Sequence, residues 1–136
     1  MHYLAILVAT IASFIIGGIW YGPLFGKVYR NILNVPEGTD MHGADGRLPL
    51  AHAMVLRFLA TLVITYVLSY FLVFFGAADI LTALKLALVI WLGFMATVMT
   101  SSVLFEGRPV KFYLINAGNE LLGLLIAAAV LFYLPW

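Results

Sequence analysis

VKFYLINAGNELLGLLIAAAVLFYL, residues 110–134, decides how the rest of the chain is read. The run is long and apolar enough to cross a bilayer, whose hydrocarbon needs about twenty helical residues. Inside it stands one polar stretch, Asn116-Ala117-Gly118-Asn119-Glu120. Two amides and a carboxylate in lipid surroundings are costly and call for partners within the protein. Asn116 and Glu120 are four apart and share a helix face, and Asn119, Gly123 and Ala127 form a row of small residues.

The other residues place this run in a membrane protein. Of 136 residues 65% are hydrophobic and 10% charged, and the mean hydropathy is +1.11. A soluble domain carries roughly 25% charged residues, so this chain lacks the polar surface to face water. A net charge of +1 without clustered Lys and Arg argues against a nucleic-acid partner. With no cysteine there is no disulfide framework, thiol nucleophile or thiolate metal site. No motif asks for a cofactor. The expectation is an all-α, single-domain bundle of four transmembrane helices over residues 1–136, whose core is the interface between helices.

The first span is expected at about 3–21, with Ala5, Ala9, Ser13 and Gly17 as a close-packing row and Trp20 and Tyr21 in an interfacial belt. Pro23 then ends one helix and opens another. Leu24, Val28 and Ile32 recur at i+4 with Lys27, Arg30 and Asn31 between them, which predicts a short amphipathic interfacial helix over about 24–34. A Gly- and Pro-punctuated connector follows. Its Asp40, His42 and Asp45 have no recognised metal-ligand spacing and read as a solvated loop.

The second span is expected at about 51–75, with a slanted polar stripe of Arg57, Thr61, Thr65 and Ser69. Such hydroxyls can line a seam or bond their own backbone four residues back. The third span, about 80–104, carries Trp91 at mid-depth as a packing residue and a second small row, Gly93, Thr97 and Ser101. The turn Phe105-Glu106-Gly107-Arg108-Pro109 offers Glu106 and Arg108 for a mutual pair, a headgroup or a partner. The fourth span is 110–134.

Four spans put both termini on one side. Lys27, Arg30, Arg47, Arg108 and Lys111 then share the opposite side, so the positive-inside rule predicts cytoplasmic loops at 22–50 and 105–110 and termini outside. Glu120 lies roughly 14 Å below Lys111, and Arg57 roughly 8 Å below His52, at 1.5 Å per residue. Thr97 on the third span reaches similar depth. A polar pocket of Arg57, Thr61, Thr97, Asn116, Asn119 and Glu120 is therefore expected in the cytoplasmic half, with Glu120 protonated or paired to Arg57, Asn116 or a Thr hydroxyl.

Four motifs, Trp20-Tyr21-Gly22-Pro23-Leu24-Phe25-Gly26-Lys27, Trp91-Leu92-Gly93-Phe94, Leu104-Phe105-Glu106-Gly107-Arg108-Pro109 and Leu114-Ile115-Asn116-Ala117-Gly118, run along nearly the whole chain. In these it resembles a catalogued bacterial family of small four-span membrane proteins, domain of unknown function 1761. The resemblance implies a four-helix bundle and a bacterial membrane and implies no activity; the expected location is the bacterial cytoplasmic (inner) membrane. The chain departs from it at Asn119-Glu120, where aromatic or His residues are more frequent.

Two functions fit. No nucleophile–base set is visible, so an enzyme is not expected. The small residues at Ala9, Ser13, Gly17, Gly93 and Gly123 suggest action by association, as an oligomer with itself or an accessory subunit among other membrane proteins in the lipid bilayer. The alternative is a small proton, cation or polar-solute transporter or channel-like protein using the Glu120 pocket.

Overall fold

A computed structural model describes residues 3–32 and 50–134. The readings on His2, Leu33, Asn34, the 37–49 connector with Asp40, His42, Asp45 and Arg47, and the Pro135-Trp136 end lie outside the described residues. Helix α1 (Tyr3–Ile19) runs into a π-helical turn (Trp20–Leu24) and then α2 (Gly26–Ile32). α3 (Leu50–Phe74) is followed by α4 (Ile80–Ile90), which continues through a second π-helical turn (Trp91–Ala96) and a 3-10 turn (Val98–Thr100) into α5 (Ser101–Leu104). α6 (Val110–Tyr133) closes the described chain. Four stretches, Tyr3–Leu24, Ala51–Phe74, Ile80–Leu104 and Val110–Tyr133, are long and apolar enough to cross a membrane. The chain is an all-α membrane bundle.

The connectors between spans follow from local chemistry. α3 ends in a Schellman motif: Gly76 takes a φ of +65°, its N–H reaches Val73 O at 3.1 Å, and Ala77 N reaches Leu72 O at 3.0 Å. α4 opens on Asp79, whose side chain accepts from Thr82 N at 2.9 Å. Hydrogen bonds from Thr82 hold the Asp79 carboxyl below the usual aspartate range. Gly107, at φ +70°, makes the turn into α6.

α6 is the most enclosed span and packs against α1, α3 and α4. The apolar core gathers at one end of the bundle. Ala5, Ile6 and Ala9 start α1, Leu68 and Leu72 end α3, Ala83 and Ala87 start α4, and Leu124, Ala127, Ala128 and Leu131 end α6. Thr10 is fully buried at the edge of this core; its Oγ1 donates to Ile6 O at 2.7 Å and lies 2.6 Å from Thr65 Oγ1.

Both interruptions depart from the sequence expectation. Pro23 does not open a new helix; it sits inside a π turn closed by Phe25 N on Trp20 O at 2.9 Å. Proline offers no N–H to Ile19, and widening the turn is one way a helix passes such a gap. The third span is broken in hydrogen-bond pattern after Ile90 rather than continuously α-helical. Thr100 N bonds Thr97 O at 3.3 Å, and the Tyr113 hydroxyl donates to Ala96 O at 2.9 Å. A neighbouring helix thus serves backbone that the irregular turn releases, as a lipid-embedded break requires.

The small-residue rows are used unequally. Ala9 is in the core, Ser13 Oγ donates to Gly123 O at 2.9 Å, and Gly17 faces Asn119. The rows of the first and fourth spans therefore meet inside one chain. Gly93 differs: among the described residues a Cβ built there meets nothing within 4 Å, so the row of the third span is left open within this chain.

Candidate functional site

A cavity of about 640 Å³ adjoins the apolar core, sharing Leu124 and Ala127 with it, and extends towards α2. Its walls are the end of α1 (Ser13, Phe14, Gly17, Gly18, Tyr21, Gly22), the start of α3 (Ala53, Met54, Arg57, Thr61, Ile64, Thr65) and α6 (Asn119, Glu120, Gly123, Leu124, Ala127), with Tyr29 of α2 at its edge. The space exists because α1 presents glycine here. A Cβ at Gly18 or Gly22 meets nothing within 4 Å, and one at Gly17 comes only to 3.7 Å of Asn119 Oδ1.

The cavity wall carries an ion pair. Arg57 Nη2 donates to Glu120 Oε1 at 2.6 Å, joining α3 to α6. The two partners differ in cover: the Arg57 side chain is 47% exposed and that of Glu120 16%. Thr61 and Thr65 face inward and are buried, yet their hydroxyls donate to Arg57 O at 2.9 Å and Thr61 O at 3.0 Å. The stripe on α3 thus lines the seam and bonds its own backbone at once. Asn119 is 6% exposed, and among the described residues its side-chain amide has no hydrogen-bond partner.

Of the six residues expected in the pocket, four line this cavity: Arg57, Thr61, Asn119 and Glu120. Asn116 stands beside it; its Oδ1 accepts from the Tyr21 hydroxyl. Thr97 is excluded. It is exposed and donates to Gly93 O at 2.9 Å, just after the π turn Trp91–Ala96. Glu106 is exposed in its turn, while Arg108 lies over the Phe112 ring at 5.2 Å instead of closing on Glu106.

Aromatic residues that sequence reasoning placed elsewhere hold the site together. Trp20 and Tyr21 turn inward to α6 rather than out to a lipid belt. Trp20 Nε1 donates to Ile115 O at 2.8 Å, and Trp91 Nε1 donates to Ala117 O at 2.8 Å from the other side. A Cβ at Gly118 would sit 3.0 Å from the Trp20 ring, so the glycine gives that ring its place. Each tryptophan begins a π turn. Tyr29 stacks on Phe112 at 5.6 Å and meets Tyr21 edge-on at 5.1 Å, fastening α2 to the start of α6. The available signal was the recurrence of Trp-x-Gly in Trp20-Tyr21-Gly22 and Trp91-Leu92-Gly93, on two helices at the depth of Asn116-Ala117-Gly118.

No curated protein and no solved structure matches the chain. A family does, over residues 4–132, under the description protein of unknown function (DUF1761). The motifs that meet around Ile115, Ala117 and Gly118 lie within that match, and the chain belongs to this family.

Proposed function

We propose that this chain is a small membrane protein that binds a polar or amphipathic small molecule in the cavity between α1, α3 and α6. The observation that carries the reading is a space of about 640 Å³ with an ion pair, Arg57–Glu120, on its wall. Ligand sites of about 300–1,000 Å³ with mostly apolar walls and a few convergent polar groups are the common form of small-molecule pocket. The paired charges neutralise each other, which suits holding a solute better than moving a proton. Carriage of that solute across the bilayer is the natural extension. The cavity shares its end of the bundle with Lys27, Arg30, Arg108 and Lys111, which we take as the cytoplasmic side of a bacterial inner membrane.

The test is native mass spectrometry of the protein released from its own membranes, beside Gly18→Leu. That change fills the cavity from a position where a Cβ meets nothing. The expected result is a small molecule retained by the natural chain and lost from the variant. Equal retention, or none by either, would remove the reading.

Association with a second copy or another membrane subunit is the second reading. One observation favours it: Gly93 and Thr97 present a small row on the third span that no helix among the described residues covers. The same spectra decide it, through the mass of the intact assembly.

A further inference from the structure

Asn119 is the unexplained group of the cavity. It is 94% covered, and among the described residues its amide bonds to no other side chain or backbone atom. Among the described residues no fully enclosed polar atom lacks a partner, so the amide of Asn119 opens onto the cavity it lines. A covered amide with a free donor and a free acceptor is costly unless something meets it.

Arg57 is the second open group. A guanidinium carries five N–H donors in a planar fork. One of its nitrogens is engaged, on Glu120 Oε1, and nearly half of the side chain remains exposed. Glu120 is far more covered and already holds its counter-charge. The site is thus open on its cationic side and closed on its anionic side. Below these groups the wall turns apolar, with Phe14, Ile64 and Leu124.

We infer that the cavity takes an amphiphile with an oxyanion head, a carboxylate or a phosphate, held by Arg57 and Asn119 while its apolar body lies along Phe14, Ile64 and Leu124. This deepens the cavity-binding reading and rests on it. The geometry of the guanidinium fork suits such a head. A bilayer lipid and a free organic acid share this chemistry.

Three labelled probes of one chain length separate the possibilities: decanoate, decylammonium and decanol, on the protein in uncharged, phosphate-free dodecyl maltoside micelles, with empty micelles subtracted. The expected result is saturable decanoate binding about tenfold tighter than decylammonium, in line with charge-assisted hydrogen bonding. Arg57→Gln alone strands a covered Glu120, so the discriminating variant is Arg57→Gln with Glu120→Gln, which keeps two polar groups in contact without charge. It should lose the preference for decanoate while still binding decanol, and Asn119→Ala should weaken decanoate about fivefold. Decylammonium equal to or tighter than decanoate, or a preference that survives the double variant, overturns the inference. If all three probes bind without charge preference and Gly18→Leu expels them, the head-group assignment fails and the cavity reading stands. If none binds saturably, or Gly18→Leu displaces none, both fail. Phosphatidylglycerol added to the micelles competes with decanoate if a bilayer lipid is the source, and leaves it unchanged if the source is a free acid.

Discussion

Trp20 and Trp91, on the first and third spans, donate their indole N–H groups to α6 carbonyls two residues apart, Ile115 and Ala117, at 2.8 Å each. α6 is thereby held between two helices at one depth, beside the cavity. Trp91→Phe removes one such bond and leaves a smaller aromatic ring in place of the indole. Interhelical hydrogen bonds in membranes average about 0.6 kcal/mol. Each single Trp→Phe change should lower stability by roughly that amount in a denaturant titration in mild detergent. A loss above about 3 kcal/mol would mean that the ring, not the bond, carries the contact.

The glycines should sort into two classes. A Cβ at Gly26 would lie 2.7 Å from the Tyr21 carbonyl oxygen, and backbone cannot step aside cheaply. A Cβ at Gly18 meets nothing within 4 Å. Gly26→Ala should therefore cost about 1–3 kcal/mol, as overpacking does. Gly18→Ala should be neutral or raise stability by up to about 1 kcal/mol, by restricting the unfolded chain. Thermal melts of the two variants give the comparison, and equal melting temperatures would contradict the geometry.

Arg57 and Glu120 should respond unequally to loss of the other. Without Glu120, a half-exposed Arg57 can extend to water. Without Arg57, the covered Glu120 is left uncompensated. Arg57→Gln should destabilise more than Glu120→Gln. A double-mutant cycle should return a coupling near 1 kcal/mol, between exposed and buried pairs, because one partner sees solvent. A larger loss from Glu120→Gln would reverse the assignment.

The Asp79 cap gives a pH dependence with a definite sign. Its carboxyl is held below the ordinary aspartate value of about 3.9. A depressed folded value means the cap's charge contribution is present above that ordinary value and lost as pH falls through the folded one. Asn also caps helices well, so Asp79→Asn keeps the acceptor and removes the charge. The natural chain should be more stable than Asp79→Asn near neutrality, and the gap should close as pH drops below about 3.9. A gap that persists at low pH would assign the effect to shape.

Depth was legible in the sequence and azimuth was not. Counting 1.5 Å per residue brought Arg57 and Glu120 to similar levels, and the structure pairs them at 2.6 Å. The same count brought Thr97 to that level, where it stands exposed; a π turn such as Trp91–Ala96 changes the residues per turn, so a face counted at 3.6 residues per turn does not carry through it. Ser13 and Gly17 were read as a seam for another helix, and the helix proved to be α6 of the same chain. Trp20 was assigned to the lipid surface by its position near a span end. Its hydrogen bond to Ile115 depends on Gly118, a long-range relation between two motifs that each look local.

The uneven placement of the core sets how the molecule yields. Alanines and leucines interlock at the end shared by the start of α1 and the end of α6, while beyond Leu124 the bundle leaves a half-open volume bordered by glycine, aromatic edges and one ion pair. Local opening is least costly where buried apolar contacts are few. The interlocked end is therefore expected to hold its shape and the cavity end to open first. Small movements of α2 and the adjoining helix ends would then change the volume beside Arg57 while the interlocked end serves as a fixed root.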